Sequence, residues 1–227
     1  NLRKTQTGAQ LALAIFDLDN TLIAGDSDHR WGEFICASGL VDAAQHTAQN
    51  DAFLKDYQDG TLDIQAYLSF ALGALAGRTL NEVAALQQQF MRNWVEPLIL
   101  PAAEDLLNKH RALGDMLLII TATNTVVTRP IADRLGVEHL IGCDAECVNG
   151  AYTGHPTGVP SFQAGKITRL QEWLGTQETQ WETTHFYSDS HNDLPLLQWV
   201  NHPVAVDPDP RLRGFALEQG WPIISLR

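Results

Sequence analysis

The sequence is poor in sulfur, with three Cys and two Met in 227 residues. An odd, small number of cysteines makes no disulfide framework, and Cys143 and Cys147 lack a second pair to complete a zinc site. Reduced thiols are expected. Basic side chains are also scarce: 15 Lys and Arg stand against 27 Asp and Glu, a net charge of −12. A surface that acidic argues against nucleic acid or anionic lipid as a main partner, and an anionic substrate would need positive charge supplied locally. No apolar run reaches the ~18–20 residues that span a bilayer. Asn1–Gln10 show no signal-peptide pattern, so a cytoplasmic location is expected. No internal repeat or low-complexity segment is present. What remains is ordinary globular composition, with length enough for one large domain or for a core plus an insertion.

One stretch organises the rest, LALAIFDLDNTL at 11–22. The apolar run Leu11–Phe16 reads as a buried parallel strand. It ends in two carboxylates, Asp17 and Asp19, with Thr21 close behind. Ligands of open α/β sheets bind beyond the carboxyl ends of strands. Two acids there suit a hard cation such as Mg²⁺, held by one or two carboxylates and otherwise by water and phosphate. An EF-hand loop fits poorly, because Leu22 and Asp28 fall where Gly and Glu belong. A plain turn or helix cap stays open for this stretch taken alone.

From Asp26 to about Glu96 no strand-like run occurs. Trp31, Phe34 and Ile35 have helical spacing, as do Phe53, Leu54 and Tyr57, then Tyr67, Phe70 and Ala71, then Val83, Leu86 and Phe90. Thr79 with Glu82 spells a capping box. A four-helix insertion over residues 25–98 is expected, with the core formed by 1–24 and 99–227. Beyond it, Pro101–Leu113 is a helix closed by Gly114. Met116–Thr121 is a second buried strand, and Asn124–Leu135 a helix that Pro130 can kink. Leu140–Cys143 is a short strand. A hairpin over Glu146–Thr153 turns at Asn149-Gly150, and Lys166–Leu174 is a helix. Thr184–Ser188 is a third strong strand, Asp193–Val200 a helix, Pro203–Val206 a strand, Pro210–Gln219 a helix and Pro222–Ser225 a last short strand. Strands alternating with helices imply an α/β fold, a doubly wound, Rossmann-like parallel sheet carrying an α-helical insertion.

Three strands thus end in polar residues at equivalent places: Asp17 and Asp19; Thr121 with Thr123 and Asn124; Asp189 with Asn192 and Asp193. Lys166 opens a helix after Gly165. Carboxylates gathered in one crevice repel unless a cation sits among them. A hydroxyl and backbone amides at a helix start seat a phosphate, and a lysine adds a point charge.

The order DLDNT, IITATN, Gly-Lys, YSDSHND resembles the haloacid-dehalogenase superfamily of aspartate-nucleophile phosphatases, over Leu11 to about Val206. A helical insertion directly after the first motif is similar to its small-cap members, above all the phosphoserine-phosphatase-like subfamily, which also includes enzymes assigned as histidinol-phosphate phosphatases. The resemblance implies a Mg²⁺-dependent phosphomonoesterase acting on a small phosphorylated metabolite. Asp17 is then nucleophile and metal ligand. Asp19 is general acid and base, with its backbone carbonyl on the metal, and Asp189 is the third metal ligand. Thr121, Ala122, Lys166 and Asn192 hold the phosphoryl group, and Asp193 supports Lys166 and the metal's water shell. A phosphotransferase of the same superfamily, or a non-catalytic binding protein on this fold, is the alternative.

Asp26 corresponds to an acid that reads the substrate amino group in phosphoserine phosphatases; capping the next helix is its other reading. The insertion offers Arg30, Lys55, Arg78 and Arg92 for a substrate carboxylate, none in a matching motif. An amino alcohol phosphate without a carboxylate therefore fits at least as well as phosphoserine, and Asp26 and Arg30 are the candidate specificity residues. His191 is expected as a loop or supporting histidine. Asp207 and Asp209 are expected in a turn and a helix cap, and Arg129 as an exposed or ion-paired side chain.

Overall fold

The computed structural model describes residues 12–227. Leu11 and the Asn1–Gln10 segment lie outside the described residues. The first strand, β1 (Ala12–Phe16), is buried along its whole length. Successive side chains of a strand point to opposite faces. Leu13 and Ile15 join Leu118, Ile120, Leu170 and Leu212 in one apolar layer. Ala14 and Phe16 join Leu107, Ile119, Val127 and Ile131 in the other. With both faces covered, the strand reads as a continuous apolar run rather than an alternating one.

Four helices follow, as the spacing predicts: α1 (Ser27–Ala37), α2 (Ala43–Asp59), α3 (Ile64–Gly73) and α4 (Leu80–Phe90). Each begins on a side-chain cap that accepts a free backbone N–H: Asp26, Asp42, Asp63 and Thr79. The Thr79–Glu82 capping box is made in both directions. A π-helical turn, Met91–Val95, and a 3₁₀ turn, Glu96–Leu98, lead out. Backbone pairing of Ile23 with Ile99, and of Ala24 N with Leu98 O at 2.8 Å, brings the entry and exit of the helical segment together.

The remaining elements are α5 (Pro101–Leu113), β2 (Met116–Asn124), α6 (Thr125–Arg134), β3 (His139–Val148), β4 (Ala151–Thr157), α7 (Ala164–Gly175), β5 (Thr183–Ser188), α8 (Leu194–Trp199), β6 (His202–Val206), α9 (Pro210–Gln219) and β7 (Ile223–Ile224). The seven strands form one sheet in the order β4-β3-β2-β1-β5-β6-β7. All neighbours are parallel except β3 and β4. This is the doubly wound α/β architecture expected.

Two strands differ from expectation. β2 runs three residues past Thr121, because its pairing with β3 shifts register between Ile120 and Asn124 instead of stopping. β3 is one long strand rather than a short strand and a separate hairpin arm. It pairs with β2 at its start and with β4 at its end. The hairpin turns at Asn149-Gly150, both at positive φ (51° and 79°), as a tight two-residue turn requires.

The helical segment is tied to the sheet. Trp31, Phe34 and Phe90 belong to the same apolar layer as Phe16. The α3–α4 connection adds backbone bonds to β4: Gly77 N to Tyr152 O, Tyr152 N to Arg78 O, and Leu80 N to Gly150 O. Pro130 sits inside α6 and cannot donate to the carbonyl four residues back. That carbonyl, Val126 O, accepts from Gln87 Nε2 of α4 at 2.6 Å instead.

Candidate active site

β1 and β5 are neighbours, and the chain winds away from them in opposite directions. Their carboxyl ends therefore open on the crevice of the topological switch point. Asp17 N continues the ladder onto Tyr187 O at 2.9 Å, which places Asp17 beside the end of β5. Asn20, at φ 56°, turns the chain back. This brings Thr21 across to β5, where its Oγ1 donates to Asp189 Oδ1 at 3.1 Å and accepts from Asp189 N at 3.0 Å.

Asp17 and Asp19 have separate partners. Asp17 Oδ1 accepts from Lys166 Nζ at 2.9 Å. The same ammonium lies 2.6 and 2.8 Å from the two oxygens of Asp193. Asp193 in turn accepts from Ser188 Oγ at 2.7 Å. Lys166 is 1% exposed. It reaches this depth because α7 starts hard against the preceding loop: a Cβ on Gly165 would lie 2.2 Å from Pro160 O. Asp19 faces away from the lysine. Its Oδ1 accepts from Ser27 N at the start of α1 at 2.6 Å, and its Oδ2 from Thr123 Oγ1 at 2.8 Å and Thr121 Oγ1 at 3.5 Å. A helix N-terminus favours such an anion.

Burial raises the Asp17 carboxyl to about 7. Asp193 and Asp19 add to the rise and Lys166 opposes it. Burial and then Asp26 raise Asp19 to about 6, against the bonds from Ser27 and Thr123. Asp189 is pushed well above the carboxylate range by burial and by Asp17. Burial alone would lower Lys166, but Asp17 and Asp193 outweigh it and hold the ammonium above its ordinary value. One buried cation faces more negative charge than it can balance.

Among the described residues no three His, Cys, Asp or Glu side chains gather as a metal cluster. Five carboxylates line the cavity; Asp17 and Asp189 stand together at the switch point, while the Asp19 side chain is held by Ser27 N and Thr123 and Asp26 caps α1. A backbone carbonyl could add a further oxygen ligand here. An all-oxygen donor set with surplus negative charge fits a hard divalent cation and not a thiolate- or imidazole-seeking one.

The cavity comprises about 580 Å³, part of it open to solvent. Asp17, Asp19 and Asp189 form its floor, and Thr121, Ala122 and Thr123 of β2 one wall. The helical segment supplies the rest, including Asp26, Asp28 and His29 of α1, Phe53 and Tyr57 of α2, and Tyr67 of α3. Lys166, Asp193 and Asn192 stand behind this lining. Asn192 donates to Tyr57 O at 2.9 Å and accepts from Gln163 at 3.2 Å. Asp26 caps α1, accepting from His29 N at 2.8 Å, and also lines the cavity. Arg30 does neither: it is exposed, pairs with Glu33 at 2.8 Å and does not line the cavity, because it projects from α1 on the side away from it.

His191 bonds Asp209, which caps α9, and Asp207 accepts from Leu226 N and pairs with Arg227. Arg129 is taken up by Asp133 and by the carbonyls of Val137 and Glu138. Sequence reasoning placed Thr123 at the crevice without giving it a role, and did not assign Ser27, Ser188, Asp28, Tyr57 or Tyr67 to the site. Two residues after Thr121, Thr123 shares that residue's face of the strand. The two tyrosines had no such signal, because their helices read only as packing.

A family model described as haloacid dehalogenase-like hydrolase matches residues 14–198. The chain belongs to this family. This haloacid dehalogenase-like hydrolase is 46% identical over 219 residues to a protein named histidinol-phosphatase from Neisseria meningitidis serogroup C, covering 95% of this chain and 99% of that one. It is 31% identical over 219 residues to a protein named phosphoserine phosphatase from Mycobacterium tuberculosis, covering 95% and 71%. Among solved structures it is similar to a Bordetella pertussis Tohama I protein described as of unknown function, at 40% identity and a TM-score of 0.90, covering 96% and 100%. The superfamily read from the four motifs, and the expectation of a hydrolase on a doubly wound α/β sheet, agree with these findings.

Proposed function

We propose that the chain is a Mg²⁺-dependent phosphomonoesterase that works through an aspartyl-phosphate on Asp17. The observation that carries this reading is the division of labour between two carboxyls two residues apart, Asp17 buried and Asp19 half-buried. Asp17 is pinned by Lys166, whereas Asp19 is held apart by Ser27 N and Thr123. A carboxylate needs no base to attack phosphorus, but its approach to an anionic ester must be screened. Lys166 supplies part of that screening. Asp17, Asp189 and the Asp19 carbonyl would hold the cation, which when bound supplies the remaining positive charge at the phosphoryl group.

Asp17 Oδ forms a bond to phosphorus as the ester P–O bond breaks. The departing alkoxide takes a proton from Asp19, whose carboxyl burial and Asp26 raise towards about 6, which favours its protonated form. Asp19, now ionised, accepts a proton from water as that water attacks the acyl phosphate, which frees phosphate and restores Asp17. Thr121 and Ala122 on the cavity wall, with Asn192 and Asp193 behind it, steady the phosphoryl group and Lys166.

The helical segment, residues 25–98, acts as the cap that covers the ester's organic half. The substrate is a small phosphorylated metabolite of the phosphoserine or histidinol phosphate kind, a reading supported by the names of the similar proteins. Asp26, at the cap's entrance, faces that organic half. The test is phosphate release from a panel of phosphomonoesters, including p-nitrophenyl phosphate, with Mg²⁺ and with chelator. Release by the wild type with Mg²⁺, lost with chelator and lost in Asp17→Asn, is expected. Turnover above a few per cent in Asp17→Asn would rule out the covalent route.

A further inference from the structure

Asp28 has no part in the chemistry described above. Acids at the second position of a helix are ordinarily exposed, where the helix dipole favours them at little cost. Asp28 is instead 5% exposed, on the cavity side of α1. Its Oδ1 accepts from Asn124 Nδ2 at 3.0 Å, and the Tyr67 hydroxyl is its other side-chain partner. The amide offers only N–H at this contact, because the Asn124 oxygen is spent on Val127 N. Surroundings that donate favour the ionised carboxyl.

A buried carboxylate is costly without a countercharge. The side chains that act most on Asp28 are Tyr67, Asp19, His29 and Asn124, and Asp26 repels it; none of these is a lysine or arginine. His29 has turned its Nε2 to Asp51 at 2.8 Å. Among the described residues no lysine or arginine lines the cavity either, and Lys166 is consumed by Asp17 and Asp193. The described residues thus supply no countercharge for Asp28 on the cavity.

Building on the phosphatase reading, we propose that Asp28 binds a positively charged nitrogen on the alcohol half of the substrate. The site then selects phosphomonoesters of amino or other basic alcohols and disfavours those carrying a carboxylate. Asp26 shares its charge with the cap of α1, accepting from His29 N, so Asp28 is the stronger determinant of the two. Tyr57, Phe53 and Tyr67 provide aromatic faces beside it, which suit a cation stripped of water.

The experiment measures kcat/KM with Mg²⁺ for a graded series of amino alcohol phosphates, each beside its uncharged hydroxyl counterpart, together with phosphoserine and p-nitrophenyl phosphate. The wild type is expected to prefer the amino member of each pair and to handle phosphoserine less well than the amino alcohol ester of equal size. Asp28→Asn keeps an acceptor for Asn124, and should reduce the amino-to-hydroxyl preference roughly 10–100-fold, as a charge-assisted hydrogen bond implies. Asp26→Asn should reduce it less. A purely structural Asp28 would lower every ester together and leave the ratio intact, which would overturn the proposal.

A measurement on the wild type covers the case in which the variant does not fold. The free amino alcohol should inhibit competitively where its hydroxyl counterpart does not, and equal inhibition by both would also overturn the proposal. If none of the esters is hydrolysed, the phosphatase reading fails. If the esters are hydrolysed without preference between pair members, only the role of Asp28 fails.

Discussion

The surplus of buried negative charge predicts an unusual pH dependence of stability. In the metal-free protein the folded state holds the Asp17 carboxyl near 7, against an ordinary value of 3.8. Between those values the folded chain keeps a proton that the unfolded chain has released, so stability falls as pH rises through the window. The gap of roughly three pH units corresponds to ~4 kcal/mol for a single site, nearly all of it lost by pH 8. Asp19 and Asp28, each raised to about 6 chiefly by burial, act in the same direction and finish earlier. For a chain of this length ~1 kcal/mol moves Tm by roughly 2–4 °C.

The assay is thermal unfolding in chelator at pH 5 and pH 8, for the wild type and for Asp17→Asn. The variant has no proton to lose at this position, and titrations of groups that Asp17 does not act on cancel in the difference. About two of those three pH units fall between pH 5 and pH 8, ~2.7 kcal/mol, so wild-type Tm should fall by roughly 5–10 °C more than that of the variant. Saturating Mg²⁺ should recover more of the wild type's stability at pH 8 than at pH 5, because it binds the ionised site. Parallel behaviour of wild type and variant, or equal stabilisation by Mg²⁺ at both pH values, would refute the idea that Asp17 is strained by uncompensated charge.

Three further outcomes are expected. Asp19→Asn should cost ~10²–10⁴-fold in kcat on alkyl phosphates and clearly less on p-nitrophenyl phosphate, whose leaving group needs little protonation; equal losses on both would remove Asp19 as the proton donor. Gly165→Ala should displace the start of α7, because its Cβ would meet Pro160 O at 2.2 Å, so both activity and urea midpoint should drop, and a variant with wild-type kcat would show that Lys166 is not placed by this contact. Gln87→Leu should cost ~1–3 kcal/mol in urea unfolding by leaving Val126 O without its donor, and most of that loss should vanish in a Pro130→Ala background, where the restored N–H can reach the same carbonyl; additive losses would mean the glutamine acts otherwise.

The sequence by itself determined the doubly wound core. A strand covered on both faces must be apolar at nearly every position, so Ala12–Phe16 and the first part of β2 stand out as unbroken runs. Helix ends were legible for the same local reason. Thr79 with Glu82, Gly114 beyond α5, and Asp209-Pro210 before α9 satisfy backbone groups within a few residues of themselves. The motif carboxylates, Thr121 and Lys166 were legible because each sits at a strand or helix end that the core positions.

What only the tertiary structure decided are the relations between side chains distant in sequence. The continuation of β2 to Asn124 depends on its pairing with β3, and the repair of Pro130 depends on Gln87 from another helix. Thr21 and Asp189 are 168 residues apart, and Lys166 and Asp17 are 149 apart. The exclusion of Arg30 from the cavity and the burial of Asp28 follow from how α1 lies against α6 and α3, which a helical repeat does not specify. Local sequence encodes hydrogen bonds and hydrophobic periods that close within a turn or a strand. The charge balance of a cavity depends on which side chains from separate segments share it, and that is settled only when the segments pack.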